Sequence, residues 1–395
     1  MKRKSNWLVK FPFLAAALIA VALVITGCVS GLSAVGWSGG TVSDGVLYVG
    51  SREGRLVAVN LTDESRIFSE ALVPVSQPGL FGCSPATGGG GCAGGSGGVS
   101  VYGTPVVSGN LTYMAGYNGK VYAYSTGNLA VRWVYPREGY LQPIVGGIVS
   151  AQGKLFFGSS DGGVYALDSV TGDFLWESPF ATGDKIWGTP AVSGDTLYIG
   201  SFDKNLYAID INTGKAKWEQ PFKTGGSIIA TPLVRDGVIY IGSFDRKFYA
   251  VDAVTGKEIW RFPQDNSAQK PNNWFWAEPV IYNDTLYVGS LDKFVYILNP
   301  ATGALIAEKE LDSPLPSRPV VIGGTIIFAS EKGVIYSLDP ATNETRVLAD
   351  IKKTVNGPLT ASGDIVYIHT QDLELQRINA VSGALLSPIS LKSSS

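Results

Sequence analysis

The chain has 395 residues, 45% hydrophobic and 16% charged, which is enough apolar content for one large core or two ordinary ones and too much for a disordered chain. A formal net charge of -2 leaves no basic excess to neutralise a phosphate backbone, so nucleic acid is excluded as a partner. Forty-nine glycines, 18 tyrosines and 9 tryptophans beside one histidine and two methionines favour turns and aromatic-rich strands over helices, and predict an all-β protein.

At the N-terminus, Lys2, Arg3 and Lys4 precede an apolar run from Trp7 to Ile25, the charged-then-apolar order of an export signal. The run closes in ITGC, which resembles the lipobox of bacterial lipoproteins; residues 1–28 then form the leader and Cys28 is the lipid attachment point. An uncleaved transmembrane anchor is the other reading, since about 20 apolar residues can span a bilayer. Both readings put the rest of the chain outside the cytoplasm. Residues 29–36, VSGLSAVG, make a short linker.

From residue 37 to about 392 the chain repeats itself. Residues 200–214 read GSFDKNLYAIDINTG and residues 242–256 read GSFDRKFYAVDAVTG. With the tyrosine of LYIG as marker, equivalent positions fall at Tyr48, Tyr113, Phe156, Tyr198, Tyr240, Tyr287, Ile327 and Tyr367, giving eight units. After the first interval the period is that of four-stranded propeller blades. Each unit reads as a Pro-started strand, a turn, the LYIG strand, a short turn, the LYAID strand, the DxxTG turn and a last strand. The predicted fold is an all-β, eight-bladed β-propeller of four-stranded antiparallel blades.

The DxxTG element has a local cause: the Asp carboxylate accepts backbone N–H bonds across the turn and the Gly takes the left-handed conformation. Asp168, Asp210 and Asp252, with Asn60, Asn299 and Asn379 in equivalent places, are therefore turn residues and not paired catalytic carboxylates. Four or five residues beyond that glycine stands a large ring, Trp133, Trp176, Trp218 and Trp260, with Phe68 in the first unit.

The combined pattern GSxDxxxYAxDxxTGxxxW resembles the tryptophan-docking repeat of PQQ-type β-propellers, the fold of quinoprotein alcohol dehydrogenases and of BamB-type lipoproteins. The resemblance implies that each Trp packs between adjacent blades and locks the ring. Units six to eight carry Ala307, Val347 and Ser387 at that place, so docking is expected to be weaker there.

Two departures stand out. An insert of roughly residues 73–99 includes CSPATGGGGCAGG, too Gly-rich to form its own core and read as an exposed loop. Cys83 and Cys92, close together in an exported chain, read as a disulfide that staples it; a metal pair lacks a third Cys or a His. In the last unit, His369 and Gln376 replace a small residue and the inner Tyr, and the histidine reads as packing or hydrogen bonding where first and last blades meet.

Candidate binding residues come from the start of each unit. Three positions before the first-strand Pro stand Trp37, Tyr102, Val145, Trp187, Ile229, Trp276, Pro316 and Val355, at one mouth of the central tunnel if these strands are innermost. The aromatic ones form either a rim for a partner peptide or planar ligand, or blade-to-blade packing. Trp274, in the segment PNNWFWAEP of residues 271–279, extends the rim. Just before the Pro, Glu278 and Arg318 in adjacent units suit an ion pair in the tunnel wall.

Quinoprotein dehydrogenases hold pyrroloquinoline quinone with calcium and carry adjacent cysteines; this chain has no Cys-Cys, and no nucleophile motif, phosphate loop or zinc spacing. No catalytic residue, metal or cofactor is expected, with quinone and calcium as the alternative. The resemblance to BamB-type lipoproteins implies instead a monomeric, lipid-anchored, extracytoplasmic scaffold. Its partners would be other envelope or membrane proteins, at the periplasmic face of an outer membrane where the cell has one. Binding of an extracellular ligand is a third reading.

Overall fold

The computed structural model describes residues 36–73, 99–264 and 271–393. The leader with Cys28, and the insert with Cys83 and Cys92, lie outside the described residues.

Among the described residues thirty-two strands form eight sheets, and in every sheet four consecutive strands pair in chain order as antiparallel neighbours. The blades span residues 40–68, 106–135, 149–181, 191–223, 233–262, 280–310, 320–350 and 360–390. The protein is an eight-bladed β-propeller of four-stranded blades. First strands touch each other from blade 7 through blades 8, 1, 2, 3 and 4 to blade 5, across the junction of blades 1 and 8, so the first strands form the innermost layer. Because the strands alternate in direction, the connections entering each first strand share one face of the disk with the turns between second and third strands. The DxxTG turns occupy the other face.

The core is a ring of blade interfaces. Eight clusters of buried side chains each draw on two neighbouring blades; one joins Tyr198, Leu206 and Trp218 of blade 4 to Ile239, Ile241 and Val251 of blade 5. The alternation of apolar residues along the middle strands supplies both faces of each blade. No blade folds as an independent layer, because every blade buries its surface against two others.

Trp133, Trp176, Trp218 and Trp260 each reach forward onto the next blade. The Nε1 groups donate to the carbonyls of Ser169, Ile211, Ala253 and Pro300, at 2.9 to 3.2 Å. In three of these pairs the marker tyrosine shares the acceptor: Tyr113, Tyr198 and Tyr240 hydroxyls donate to the carbonyls of Ser169, Ala253 and Pro300.

Phe68 requires a correction. In blade 5 the outer strand bulges, so that Trp260 rather than Ile259 stands opposite Ala250. Blade 1 pairs without a bulge, Ile67 stands opposite Ala58, and Phe68 packs backwards with Leu375 and Ile389 of blade 8. In blades 7 and 8 the bulge comes further along the outer strand, so Arg346 and Leu386 stand at the forward position, not Val347 and Ser387.

Where Trp is missing, polar groups bridge the outer ends of the blades. Lys309 pairs with Glu344 at 3.1 Å, Arg346 donates to the Val381 carbonyl at 3.3 Å, and Arg377 pairs with Glu64 at 2.7 Å across the closing seam. Deeper in that seam His369 Nδ1 lies 3.0 Å from the Ser38 carbonyl, the tautomer with Nδ1–H donating, and Thr360 Oγ1 bonds to Gly40. Among the described residues the ring thus closes through side chains and core contacts, with no strand exchanged between its ends.

Candidate functional site

On the face opposite the DxxTG turns, the residues entering the first strands form the tunnel mouth. The backbone here is crowded: a Cβ on Gly146 would sit 2.4 Å from the Gly188 carbonyl oxygen. Small residues at this place let successive blades meet closely, and the bulkier residue one position earlier is displaced towards solvent or into the core.

The sequence-predicted rim divides into two groups. Trp37 and Tyr102 meet edge to face with centroids 4.6 Å apart, and Tyr102 touches Tyr117 at 5.6 Å. Burial, then the neighbouring Tyr117, pushes the Tyr102 phenol up to about 12. The second group runs over blades 4 to 6. Trp187 packs edge-on against Phe202 at 4.8 Å, and its Nε1 donates to Ser160 Oγ at 3.1 Å. Phe202 touches Phe244, which stacks on Trp274 at 4.2 Å and on Trp276 at 5.9 Å. All five rings of this second group are partly exposed, and together they make a continuous aromatic shelf. Ile229 and Val355, at the same repeat position as the rim tryptophans, are buried.

The carboxylates of the neighbouring turns face inward. Asp203 accepts from Tyr207 Oη at 2.6 Å and from the backbone N–H groups of Asn205 and Gly183. Asp245 repeats this with Tyr249, Lys247 and Gly225, and Asp292 with Tyr296, Phe294 and Asn272. Each therefore ties its own turn to the connection entering its blade. Burial and the Asp203 carboxylate raise the Tyr207 phenol to about 12, so it remains a donor. Lys185 Nζ lies over the Trp187 and Phe202 rings, 5.4 and 5.0 Å from their centroids.

Glu278 and Arg318 come together in the inner wall, Oε2 to Nη1 at 3.4 Å. Glu278 is largely covered and Arg318 open to solvent; burial raises the glutamate pKa, and Arg318 pulls it back down. A calcium–quinone pair needs several oxygen ligands converging at the tunnel. The positions equivalent to Glu278 hold Gly39, Thr104, Gly147, Thr189, Thr231, Arg318 and Gly357, which do not supply that set. Among the described residues no three His, Cys, Asp or Glu side chains converge.

Phe202 and Phe244 were missed as site residues, although both stand in the repeated GSFD stretch. The signal was there: other units carry Tyr117, Ser160, Leu291, Glu331 and Gln371 at this turn position, so a Phe twice over was an unexplained apolar choice.

No curated protein matches the sequence. Among solved structures, the fold is similar to that of the computationally designed Ika8 protein, at TM-score 0.68 and 14% identity, covering 86% of this chain and 94% of that one. It is also similar to BamB from Moraxella catarrhalis, at TM-score 0.61 and 20% identity, covering 73% of this chain and 87% of that one. A family model described as outer membrane protein assembly factor BamB matches residues 26–187 and 182–386. With the eight blades and the Trp–carbonyl docking accounted for, this two-part match spans most of the chain, and the protein belongs to the BamB family of propellers.

Proposed function

We propose that the protein is a lipid-anchored, non-catalytic scaffold of the cell envelope that holds other proteins on the aromatic face of its propeller. The observation that carries this reading is the shelf of Trp187, Phe202, Phe244, Trp274 and Trp276, five rings left partly open to solvent on one face of a rigid disk. Aromatic side chains offer large contact area at little conformational cost and dominate the energetics of interfaces. The name of the family, an outer membrane protein assembly factor, supports an envelope complex as the setting. The non-catalytic reading is supported by how the carboxylates beneath the shelf are used: Asp203, Asp245 and Asp292 are each committed to a tyrosine and to backbone N–H groups.

Crosslinking in native membranes, followed by mass spectrometry, tests this. Crosslinks from residues 271–279 and the shelf to one envelope protein are expected, and Trp276→Ala should weaken them while the thermal melt stays that of a folded ring. Absence of any envelope crosslink from this face would overturn the reading.

A further inference from the structure

We propose that the aromatic shelf takes an acidic segment of its partner protein, one large apolar side chain lying on the rings and Asp or Glu side chains meeting the cations around them. This rests on the scaffold reading and names the chemistry of the partner.

The argument is a separation of charge within the same turns. Asp203, Asp245 and Asp292 point into the disk, each saturated by three donors. N–H dipoles aimed at a carboxylate offset much of its field on the outer side. Of the cations in these turns, Lys204 and Arg246 are exposed and form no ion pair among the described residues, while Lys293 pairs with Glu310 at 3.2 Å; Lys185, in the connection entering blade 4, is held over two shelf rings. Blade 8 shows the opposite arrangement, with Lys353 clasped by Asp372 and Glu374. An apolar platform edged by unpaired cations is complementary to an acidic segment with an apolar anchor. The shelf crosses three blades and is open rather than enclosed, which suits an extended chain and not a small molecule.

The test is fluorescence polarisation of the purified chain with a labelled Asp/Glu-rich peptide bearing a central Phe. Controls are the same peptide with Phe→Ala, a peptide with Lys in place of the acids, and a uridine oligonucleotide. Saturable binding of the first peptide is expected, weakened about tenfold by Lys204→Glu combined with Arg246→Glu and weakened by added salt. Trp276→Ala should weaken it comparably. Both charge reversals are at exposed positions; if the double variant melts early, Lys204→Ala with Arg246→Ala reads the same effect at smaller amplitude. Equal binding of the Lys peptide, undiminished binding by the charge-reversed protein, or tighter binding of the oligonucleotide would each overturn the proposal. The membrane crosslinking separates the two readings: a charge-reversed protein that still captures its envelope partner keeps the scaffold and sinks the acidic segment. A native protein that captures none sinks the scaffold itself.

Discussion

The Trp218 ring lies flat where a side chain on Gly256 would be: a Cβ there would come within 2.7 Å of Trp218 Cδ2. Gly256 also has φ +70, a left-handed conformation that costs other residues about 1–2 kcal/mol. The same pairing recurs as Trp133 on Gly172, Trp176 on Gly214 and Trp260 on Gly303. Where the preceding blade brings no Trp, blades 1, 2 and 7 put Glu64, Leu129 and Asn343 at the left-handed turn position.

Trp218→Ala is expected to cost about 3–5 kcal/mol, the range for truncating a buried Trp. Gly256→Ala costs the left-handed strain plus displacement of the ring. In the Trp218→Ala background the second cost disappears, so a double-mutant cycle by chemical denaturation should find the double variant less destabilised than the sum of the two single variants. Strict additivity would mean that ring and turn do not compete for the same space.

Blades 6, 7, 8 and 1 are joined at their outer ends by Lys309–Glu344, Arg346 to Val381 and Arg377–Glu64 instead of Trp rings. Exposed ion pairs contribute about 0–1 kcal/mol and are screened by salt. Hydrogen exchange followed by mass spectrometry should therefore show earliest opening across this arc, advancing further at about 1 M salt. Uniform protection around all eight blades would contradict this.

Arg318→Ala leaves Glu278 covered and without its compensating charge, at an expected cost of about 1–3 kcal/mol near neutral pH. The glutamate pKa, already raised by burial, rises further. A carboxyl whose folded pKa exceeds its unfolded one loses stability as pH climbs from the unfolded value through the folded one. The deficit should thus shrink as pH is lowered towards about 5. Glu278→Gln combined with Arg318→Ala should show no such recovery when denaturation midpoints are compared at the two pH values.

His369 is buried, its Nε2 without a partner among the described residues, and desolvation lowers its pKa against the pull of the Ser38 carbonyl. The unfolded chain takes up a proton near about pH 6.5, the folded ring only at lower pH. Below that value the unfolded state holds more protons, so stability falls as pH drops from about 6.5 towards the folded pKa. His369→Gln should flatten this part of the melting-temperature profile between about pH 7.5 and 5.5. An unchanged slope would assign the acid sensitivity to the carboxylates instead.

The eight units, their strand order and the turn role of DxxTG were legible because they are local: alternation fixes which residues pair faces, and Asp and Gly determine a turn within five residues. The pairing of Glu278 with Arg318 was legible for a related reason, since equal repeat positions in adjacent blades become neighbours in the ring. Phe68 was misread because counting from the turn ignores the bulge. Without it the strand slips by one residue, and the next side chain along faces the opposite way.

What the sequence determined by itself was the blade, since each unit carries the period, turns and aromatic markers that specify four antiparallel strands. What only the tertiary structure decided was which units cooperate. Phe202, Phe244, Trp187, Trp274 and Trp276 come from three blades and are joined in one shelf solely because the ring brings their turns to the same face. Surface continuity of that kind arises from side chains some 90 residues apart, and no local propensity encodes it.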